Sequence, residues 1–201
     1  MAFATEEQIR DARRILVLGV PGAGKTTAAQ RLAQLLGIRG VDFDTDIRWV
    51  DGESQPWTLR PLEDVQAGTR AIVADEQWVL AGISASVREL VYAHTDLIIY
   101  LDYADHVTLY RVLSRTIRRT LTKEKCCNGN VETVRKAFQP ESILVWWWKA
   151  RPKNRARAAQ CLLDPALPPT VVCTRPRELE QIAQVLAARV EHTTRDIKTS
   201  R

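Results

Sequence analysis

GVPGAGKT, residues Gly19–Thr26, decides the fold of this 201-residue chain. It matches the phosphate-loop pattern GxxxxGK[ST], in which glycines let successive backbone N–H groups point at phosphate oxygens. The branched apolar run Arg14–Gly19 before it predicts a buried strand, and the helical spacing of apolar residues in Lys25–Leu36 predicts a helix. This context predicts a nucleotide-binding loop in which Lys25 reaches the β- and γ-phosphates and the Thr26 hydroxyl binds Mg²⁺.

Strands and helices alternate along the rest of the chain, which predicts a parallel sheet covered on both faces. Further strands are expected at Gly40–Asp44, Gln77–Gly82, Asp96–Asp102 and Thr170–Thr174, and further helices at 62–74, 86–93, 104–121 and 178–190. A loop at 125–130 and helices at 131–138 and 142–158 would form a basic helical lid within residues 105–157. We therefore predict an α/β fold of the P-loop NTPase class, a three-layer sandwich with about five parallel strands. It would form one domain over residues 1–191, followed by a polar tail at 192–201.

Composition excludes several other classes of protein. Apolar residues make up 45% of the chain and charged residues 26%, which is the usage of a globular protein and not of a disordered one. The apolar runs are far shorter than a membrane span needs, and the first residues lack the apolar core of a secretory signal, so we expect a cytoplasmic protein. The four cysteines show no CxxC spacing, which favours reduced thiols over a zinc site or a disulfide framework.

The net charge of +5 is unevenly distributed. Residues 1–104 carry ten basic and fifteen acidic side chains, whereas residues 105–157 carry thirteen basic and four acidic ones. Because the cations gather in the lid region, one polyanion such as ATP with its acceptor accounts for them.

Several motifs occur in an order that resembles a family of small P-loop proteins related to adenylate kinase and often described as DNA topology modulation proteins. They span about Arg14 to Pro165. The phosphate loop has the form GxPGxGKTT, with Pro21 and Thr27. The further motifs are Val41-Asp42-Phe43-Asp44 followed by Trp49, Trp78–Gly82, Ile99–Asp102, Arg111-Val112-Leu113-Ser114-Arg115, Asn128-Gly129-Asn130, and the Trp-rich basic segment after Ile143.

The resemblance implies ATP and Mg²⁺ as cofactors and a set of site residues. Arg111 would pack on the adenine and Arg115, one helical turn later, would contact the transferring phosphate; Arg118 and Arg119 extend this patch. Asp44 would orient the acceptor hydroxyl, with Asp42 and Asp46 beside it. The expected catalytic residues are Lys25, Arg115 and Asp44, and Thr26 is the expected metal ligand. The expected nucleotide-binding residues are Gly19, Pro21, Gly22, Ala23, Gly24, Lys25, Thr26, Thr27, Arg111, Arg115 and Arg119.

One departure from the family concerns the end of the third strand. Relatives have an acid–Gly pair there, and this chain has Ala81-Gly82. That acid normally holds a water on Mg²⁺, so Thr26 lacks its usual partner unless Asp44 or Asp102 replaces it.

Two functions remain open at this point. In the first, the chain is a kinase that transfers the γ-phosphoryl group of ATP to a nucleotide or another small molecule. In the second, it is an ATP-binding module that acts on DNA, where indoles of Trp146–Trp148 stack on bases and the following cations bind phosphates. Those cations are Lys149, Arg151, Lys153, Arg155 and Arg157. The same segment also fits a helix in which some indoles pack on the core and the cations face water, since three consecutive helical residues cannot point one way.

Overall fold

The computed structural model describes residues 4–133 and 142–199, and its centre is a five-stranded parallel sheet. The strands are β1 (Arg14–Gly19), β2 (Arg39–Asp42), β3 (Trp78–Ala81), β4 (Leu97–Leu101) and β7 (Thr170–Cys173), in the order β2-β3-β1-β4-β7. Strand β1 therefore lies between β3 and β4, where the chain order reverses. The carboxyl end of such a strand is where open α/β sheets bind ligands, and the phosphate loop follows β1 there.

Helices cover both faces of the sheet, as the continuous apolar strands require. They are α1 (Glu6–Asp11), α2 (Lys25–Leu36), α3 (Leu62–Val73), α4 (Arg88–Tyr92), α5 (Asp105–Thr122), α6 (Ile143–Leu163) and α7 (Pro176–Thr199). One core layer joins α2 and α7 to the sheet, and the other joins α3 and α4 to its opposite face. The predicted P-loop α/β class is thus confirmed.

The segment after β2 differs from the prediction. The strand ends at Asp42, and Phe43–Arg48 forms a π-helical turn in which the Asp42 carboxylate accepts a hydrogen bond from the Thr45 amide. Asp42 is thus an N-cap rather than a mid-strand residue. The predicted strand Gly40–Asp44 was wrong at its end, and strand alternation does not relate Asp44 to Asp42.

The lid region is built from α5, a short antiparallel hairpin and α6. Strands β5 (Lys125–Cys126) and β6 (Asn130–Val131) form the hairpin where a plain loop was predicted, and we call residues 125–131 the lid hairpin. The predicted helix at 131–138 was wrong at Val131, which lies in β6, and its residues from 134 onward lie outside the described ranges. Helix α6 continues through Pro152 to Leu163, beyond the predicted end at 158.

Candidate functional site

The phosphate loop is shaped by close approaches that only glycine permits. A Cβ on Gly22 would lie 2.3 Å from the Thr108 carbonyl oxygen of α5, and Gly22 has a φ of +80°. A Cβ on Gly19 would lie 2.6 Å from the Leu101 carbonyl oxygen. The loop is therefore held between β4 and α5. Within it, Ala23 is buried and donates its amide hydrogen to the Val20 carbonyl oxygen at 3.1 Å.

The amino terminus of α2 opens from this loop. Gly24 is the N-cap, with a φ of +89° and no side-chain hydrogen bond to the first turn. The helix begins with Lys25, Thr26 and Thr27. Their backbone N–H groups have no carbonyl acceptor within the helix, because no helical residue lies four positions earlier. Pro21 is half-buried beside this opening. These residues lie at the amino-terminal end of a twelve-residue helix, where backbone N–H groups and the helix dipole can bind an anion.

Lys25 is the charged centre of the site. Its ammonium group donates to the Val20 carbonyl oxygen at 3.2 Å, and its Cε lies 3.7 Å from where a Cβ on Gly82 would be. Burial lowers the pKa of Lys25, Asp44 and Asp42 oppose that shift, and Arg115 adds to it. Asp44 and Arg115, the other two expected catalytic residues, therefore both lie within electrostatic reach of the Lys25 ammonium group.

The partner of Thr26 is Asp42. The Thr26 hydroxyl donates to one carboxylate oxygen of Asp42, and the Thr45 amide donates to the other oxygen at 2.9 Å. Asp42 also pairs in register with Ala81 across β2 and β3. An acid on the neighbouring strand thus lies beside the position where the family has its acid. Of the two expected replacements, Asp102 lies 3.4 Å from Arg155, and Asp44 pairs with Arg48.

Asp44 lies in the π-helical turn, on the open side of the site. Its carboxylate forms an ion pair with Arg48 at 3.2 Å, and about half of its side chain is exposed. The Arg48 guanidinium in turn lies 5.4 Å from the centre of the Trp49 ring. Asp46 has a different role, since its carboxylate accepts the Asp42 amide hydrogen at 2.8 Å. Of the three acids, Asp44 is therefore the one placed to meet an acceptor.

The arginines of α5 lie along the phosphate loop but in different surroundings. Arg111 lies over the Tyr103 ring at 5.5 Å, and its Nη1 is 3.9 Å from where a Cβ on Gly24 would be. Burial lowers the pKa of Arg115, Arg119 lowers it further, and Glu132 opposes the shift. The Nε of Arg115 is buried and has no hydrogen-bond partner within the described ranges. Arg115 thus has a buried donor that could bind an anion.

Arg119 is engaged within the lid. It forms an ion pair with Glu132 at 3.4 Å and lies 3.7 Å from Glu124. Arg118 also pairs with Glu124, at 3.0 Å. Contact between Arg119 and a nucleotide remains a prediction, and these carboxylates would have to release it first.

The lid hairpin is docked on the loop at residues 49–60. The Asn130 side chain is fully buried; its amide oxygen accepts the Trp57 backbone N–H, and its amide nitrogen donates to the Cys127 carbonyl oxygen at 2.7 Å. The Asn128 carbonyl oxygen accepts the Gly52 amide hydrogen at 2.7 Å. The indole of Trp57 donates to the Val131 carbonyl oxygen at 3.2 Å.

This docking uses backbone conformations that side chains rarely adopt. Trp57, Cys127 and Asn128 all have a positive φ, between +46° and +61°. Such conformations persist where surrounding contacts determine them, and they cluster at functional sites. The sequence offered the motif Asn128-Gly129-Asn130, but it did not predict the contact between Asn130 and Trp57 that makes both residues functional candidates.

The basic segment of α6 is partly neutralised. Arg151 forms an ion pair with Asp105 and stacks on the rings of Trp147 and Trp148. Arg155 pairs with Asp105 at 2.8 Å. Trp147 is buried and donates its indole N–H to the Thr108 hydroxyl, whereas Trp146 and Trp148 are exposed. The packing interpretation of this segment therefore fits the structure, and two of the cations expected for DNA are occupied.

The donor set fits a magnesium-bound nucleoside triphosphate. The uncapped first turn of α2, the Lys25 ammonium group and the unpartnered Nε of Arg115 are donors that suit anionic oxygen. Thr26 and Asp42 supply the hydroxyl and carboxylate oxygens that Mg²⁺ prefers. Within the described residues, no three His, Cys, Asp or Glu side chains form a cluster that could hold a metal by themselves. Mg²⁺ would thus be held jointly with phosphate oxygens.

Known proteins resemble this chain in sequence. Residues 15–134, more than half of the chain, match the family described as AAA domain. A shikimate kinase from Mycobacterium tuberculosis is 32% identical over 126 residues, which cover 55% of this chain and 68% of that protein. A shikimate kinase from Halorhodospira halophila is 42% identical over 62 residues, which cover 31% of this chain and 34% of that protein.

Solved structures show the same fold. Shikimate kinase from Acinetobacter baumannii, in complex with shikimate, superposes with a TM-score of 0.53 at 19% identity, covering 94% of this chain and 98% of that one. Shikimate kinase from Aquifex aeolicus gives a TM-score of 0.51 at 14% identity, covering 90% and 98%. None of these relatives is described as a DNA topology protein.

Over residues 4–133 and 142–199, no helix is long and apolar enough to cross a membrane.

Proposed function

The chain belongs to the AAA domain family and is a P-loop kinase related to the shikimate kinases, and from that premise we propose that it transfers the γ-phosphoryl group of ATP to a hydroxyl group of a small-molecule acceptor. The observation that carries the proposal is the setting of Lys25, whose ammonium group binds the Val20 carbonyl oxygen of the phosphate loop and lies within electrostatic reach of Asp44 and Arg115. Two cations that can neutralise phosphate and one acid that can orient a hydroxyl are the parts that phosphoryl transfer needs.

ATP would bind along the loop Gly19–Thr27, with its phosphates on the backbone amides and on Lys25. Arg111, which lies between Tyr103 and Gly24, would flank the base. Residues 105–157 would act as the lid, within a single domain. In this arrangement the site excludes water from the phosphates, which strengthens every charge interaction inside it.

Mg²⁺ would offset the negative charge of the phosphate oxygens. Thr26 would hold it through its hydroxyl group, and Asp42 would hold a water beside it. The contact between Thr26 and Asp42 supports this assignment, because it places a carboxylate next to the metal ligand although Ala81 stands at the usual position of the acid.

In the transfer step, an acceptor oxygen forms a bond to the γ-phosphorus while the bond to the β–γ bridging oxygen breaks. Asp44 accepts a hydrogen bond from the acceptor hydroxyl and takes its proton late in the transfer. Lys25 and Arg115 stabilise the charge on the phosphoryl oxygens and on the ADP that leaves. The ion pair with Arg48 keeps the Asp44 carboxylate in place on the acceptor side.

Shikimate, the substrate in the relatives' name, heads the acceptors to test, followed by sugar acids and nucleosides. ADP release in a coupled assay, measured with each acceptor, identifies the substrate. We expect turnover with at least one acceptor and its loss in Lys25→Met. Asp75→Asn, which changes a residue at the amino-terminal end of β2, far from the phosphate loop, should keep full activity. Tight ATP binding without turnover on any acceptor would count against the proposal. That outcome would revive the DNA-binding alternative, which no contact described above favours.

A further inference from the structure

Two adjacent thiols lie in the lid hairpin. Cys126 pairs with Asn130 across β5 and β6, and Cys127 occupies the turn with a φ of +46°. The Cys126 sulfur lies 3.9 Å from a carboxylate oxygen of Glu132. All four cysteines of the chain are free thiols, but the other two are buried elsewhere: Cys173 in β7 and Cys161 in α6.

The surroundings of the adjacent thiols differ from those of the other two. A hydrogen bond with Cys127 lowers the pKa of Cys126; burial opposes this shift and Arg119 adds to it. The same hydrogen bond, together with burial, raises the pKa of Cys127. Burial raises the pKa of Cys161, and it raises the pKa of Cys173 to about 12. The thiolate is the reactive form of cysteine, and Cys126 is the one of the four whose pKa is shifted toward it.

Joining neighbouring residues by a disulfide requires the backbone to move. Consecutive Cα atoms are about 3.8 Å apart across a trans peptide, whereas disulfide-bonded residues usually have Cα atoms about 4.4–6.8 Å apart. The movement would fall on the Cys127 carbonyl group, which accepts the hydrogen bond from Asn130. Asn130 in turn holds the backbone of Trp57 in the 49–60 loop. A change at the thiols is thus transmitted directly to the contact between lid and loop.

We propose that Cys126 and Cys127 form a peroxide-sensitive dithiol, and that its conversion to an intramolecular disulfide undocks the lid hairpin from the 49–60 loop. The Cys126 sulfur attacks one oxygen of hydrogen peroxide, the O–O bond breaks and one water leaves, which gives a sulfenic acid. The Cys127 sulfur then loses its proton and attacks the Cys126 sulfur, the S–O bond breaks and a second water leaves. Two thiols are oxidised and one peroxide is reduced.

The consequence for catalysis rests on the proposed kinase function. Arg115 and Arg119 lie within electrostatic reach of the two thiols, so a displaced hairpin would also change the surroundings of Arg115, which the proposed function places at the phosphates. The expected effect is reversible inhibition, because a disulfide with strained geometry is easily reduced.

The test treats the full chain with hydrogen peroxide and measures three quantities before and after adding dithiothreitol. Mass spectrometry of the tryptic peptide 126–135 should show the loss of two hydrogen atoms, and Cys161 and Cys173 should stay reduced. Amide hydrogen exchange of residues 49–60 should become faster. Activity on the identified acceptor should fall about tenfold or more, as expected when a catalytic arrangement is misplaced. Dithiothreitol should reverse all three changes.

Cys126→Ser and Cys127→Ser are the decisive variants, and Cys161→Ser is the matched control. Each lid variant should show no intramolecular disulfide and no faster exchange at 49–60, whereas the control should respond like the wild type. An intermolecular disulfide on a non-reducing gel, an unchanged peptide mass, or unchanged exchange at 49–60 would overturn the proposal. Mass and exchange are independent of activity, so an inactive but peroxide-responsive protein would refute the kinase function alone.

Discussion

Replacing Asp42 by Asn tests whether this residue supplies the acid that is missing after β3. The change removes the charge and keeps the shape of the side chain. The Thr45 amide can still donate to an Asn oxygen at the N-cap, and Asn caps helices about as well as Asp, so the free energy of unfolding should change by less than about 1 kcal/mol. The contact with the Thr26 hydroxyl, however, becomes one between neutral groups.

The size of the effect follows from that contact. A hydrogen bond to a charged group contributes about 1.5–3 kcal/mol, roughly twice the contribution of a neutral one. Residues that orient a metal ligand typically change metal affinity about 10–100-fold when mutated, which equals about 1.4–2.7 kcal/mol. Asp42→Asn should therefore raise the Mg²⁺ concentration for half-maximal activity by this factor, with little change in the binding of metal-free ATP.

The assay is the rate of ADP release as a function of Mg²⁺ concentration at saturating ATP. Asp75→Asn is the matched control, because Asp75 pairs with Arg39 at the amino-terminal end of β2, whereas Asp42 ends that strand. If Asp42→Asn and Asp75→Asn show the same Mg²⁺ dependence, Asp42 does not act on the metal and the reasoning is refuted.

Three further predictions concern the same site. Lys25→Met should lower the rate of phosphoryl transfer about 10²-fold or more. It should also stabilise the ligand-free protein. Burial lowers the pKa of Lys25, so the charged side chain destabilises the folded protein fully below the lowered pKa. This destabilisation disappears as pH rises toward 10.5. The difference in melting temperature between the two proteins should therefore shrink across that pH range. Arg115→Ala should lower kcat about 10²–10³-fold with little loss of thermal stability, because its buried Nε has no described partner; a change confined to KM would contradict this. Asn130→Ala removes the hydrogen bond that joins Trp57 to the lid hairpin and a second one within the hairpin, about 1–3 kcal/mol together, and should raise the exchange rate at residues 49–60 without altering ATP affinity.

The phosphate loop and the sheet could be predicted because their signals are local. The GxxxxGK[ST] pattern requires a strand before it and a helix after it, and continuous apolar runs identified β1 and β4 as buried strands. The wrong strand end at Asp44 has an equally local cause, since Asp42 caps a turn that competes with the strand. An Asp fits both a strand that continues through this position and a turn that it caps, and the pattern of apolar residues does not distinguish the two.

The assignments at the site depended on contacts between distant residues. Asp42 meets Thr26 because only β3 lies between β2 and β1, the strand that leads into the phosphate loop, and the chain order does not reveal this strand order. Asn130 meets Trp57 across 73 positions. Arg119 was grouped with Arg111 and Arg115 by helical spacing, but the spacing could not show that Glu132 and Glu124 lie against it.

The most direct test of the central claim is a crystal structure with a non-hydrolysable ATP analogue and Mg²⁺. We expect the triphosphate on the amides of Gly22–Thr27, the γ-phosphate in contact with Lys25 and Arg115, and the metal bound to the Thr26 hydroxyl with Asp42 holding one of its waters. A pocket beside Asp44 should then open onto the γ-phosphate. A triphosphate bound away from Lys25, or a γ-phosphate that faces away from Asp44, would contradict a kinase site built from these residues.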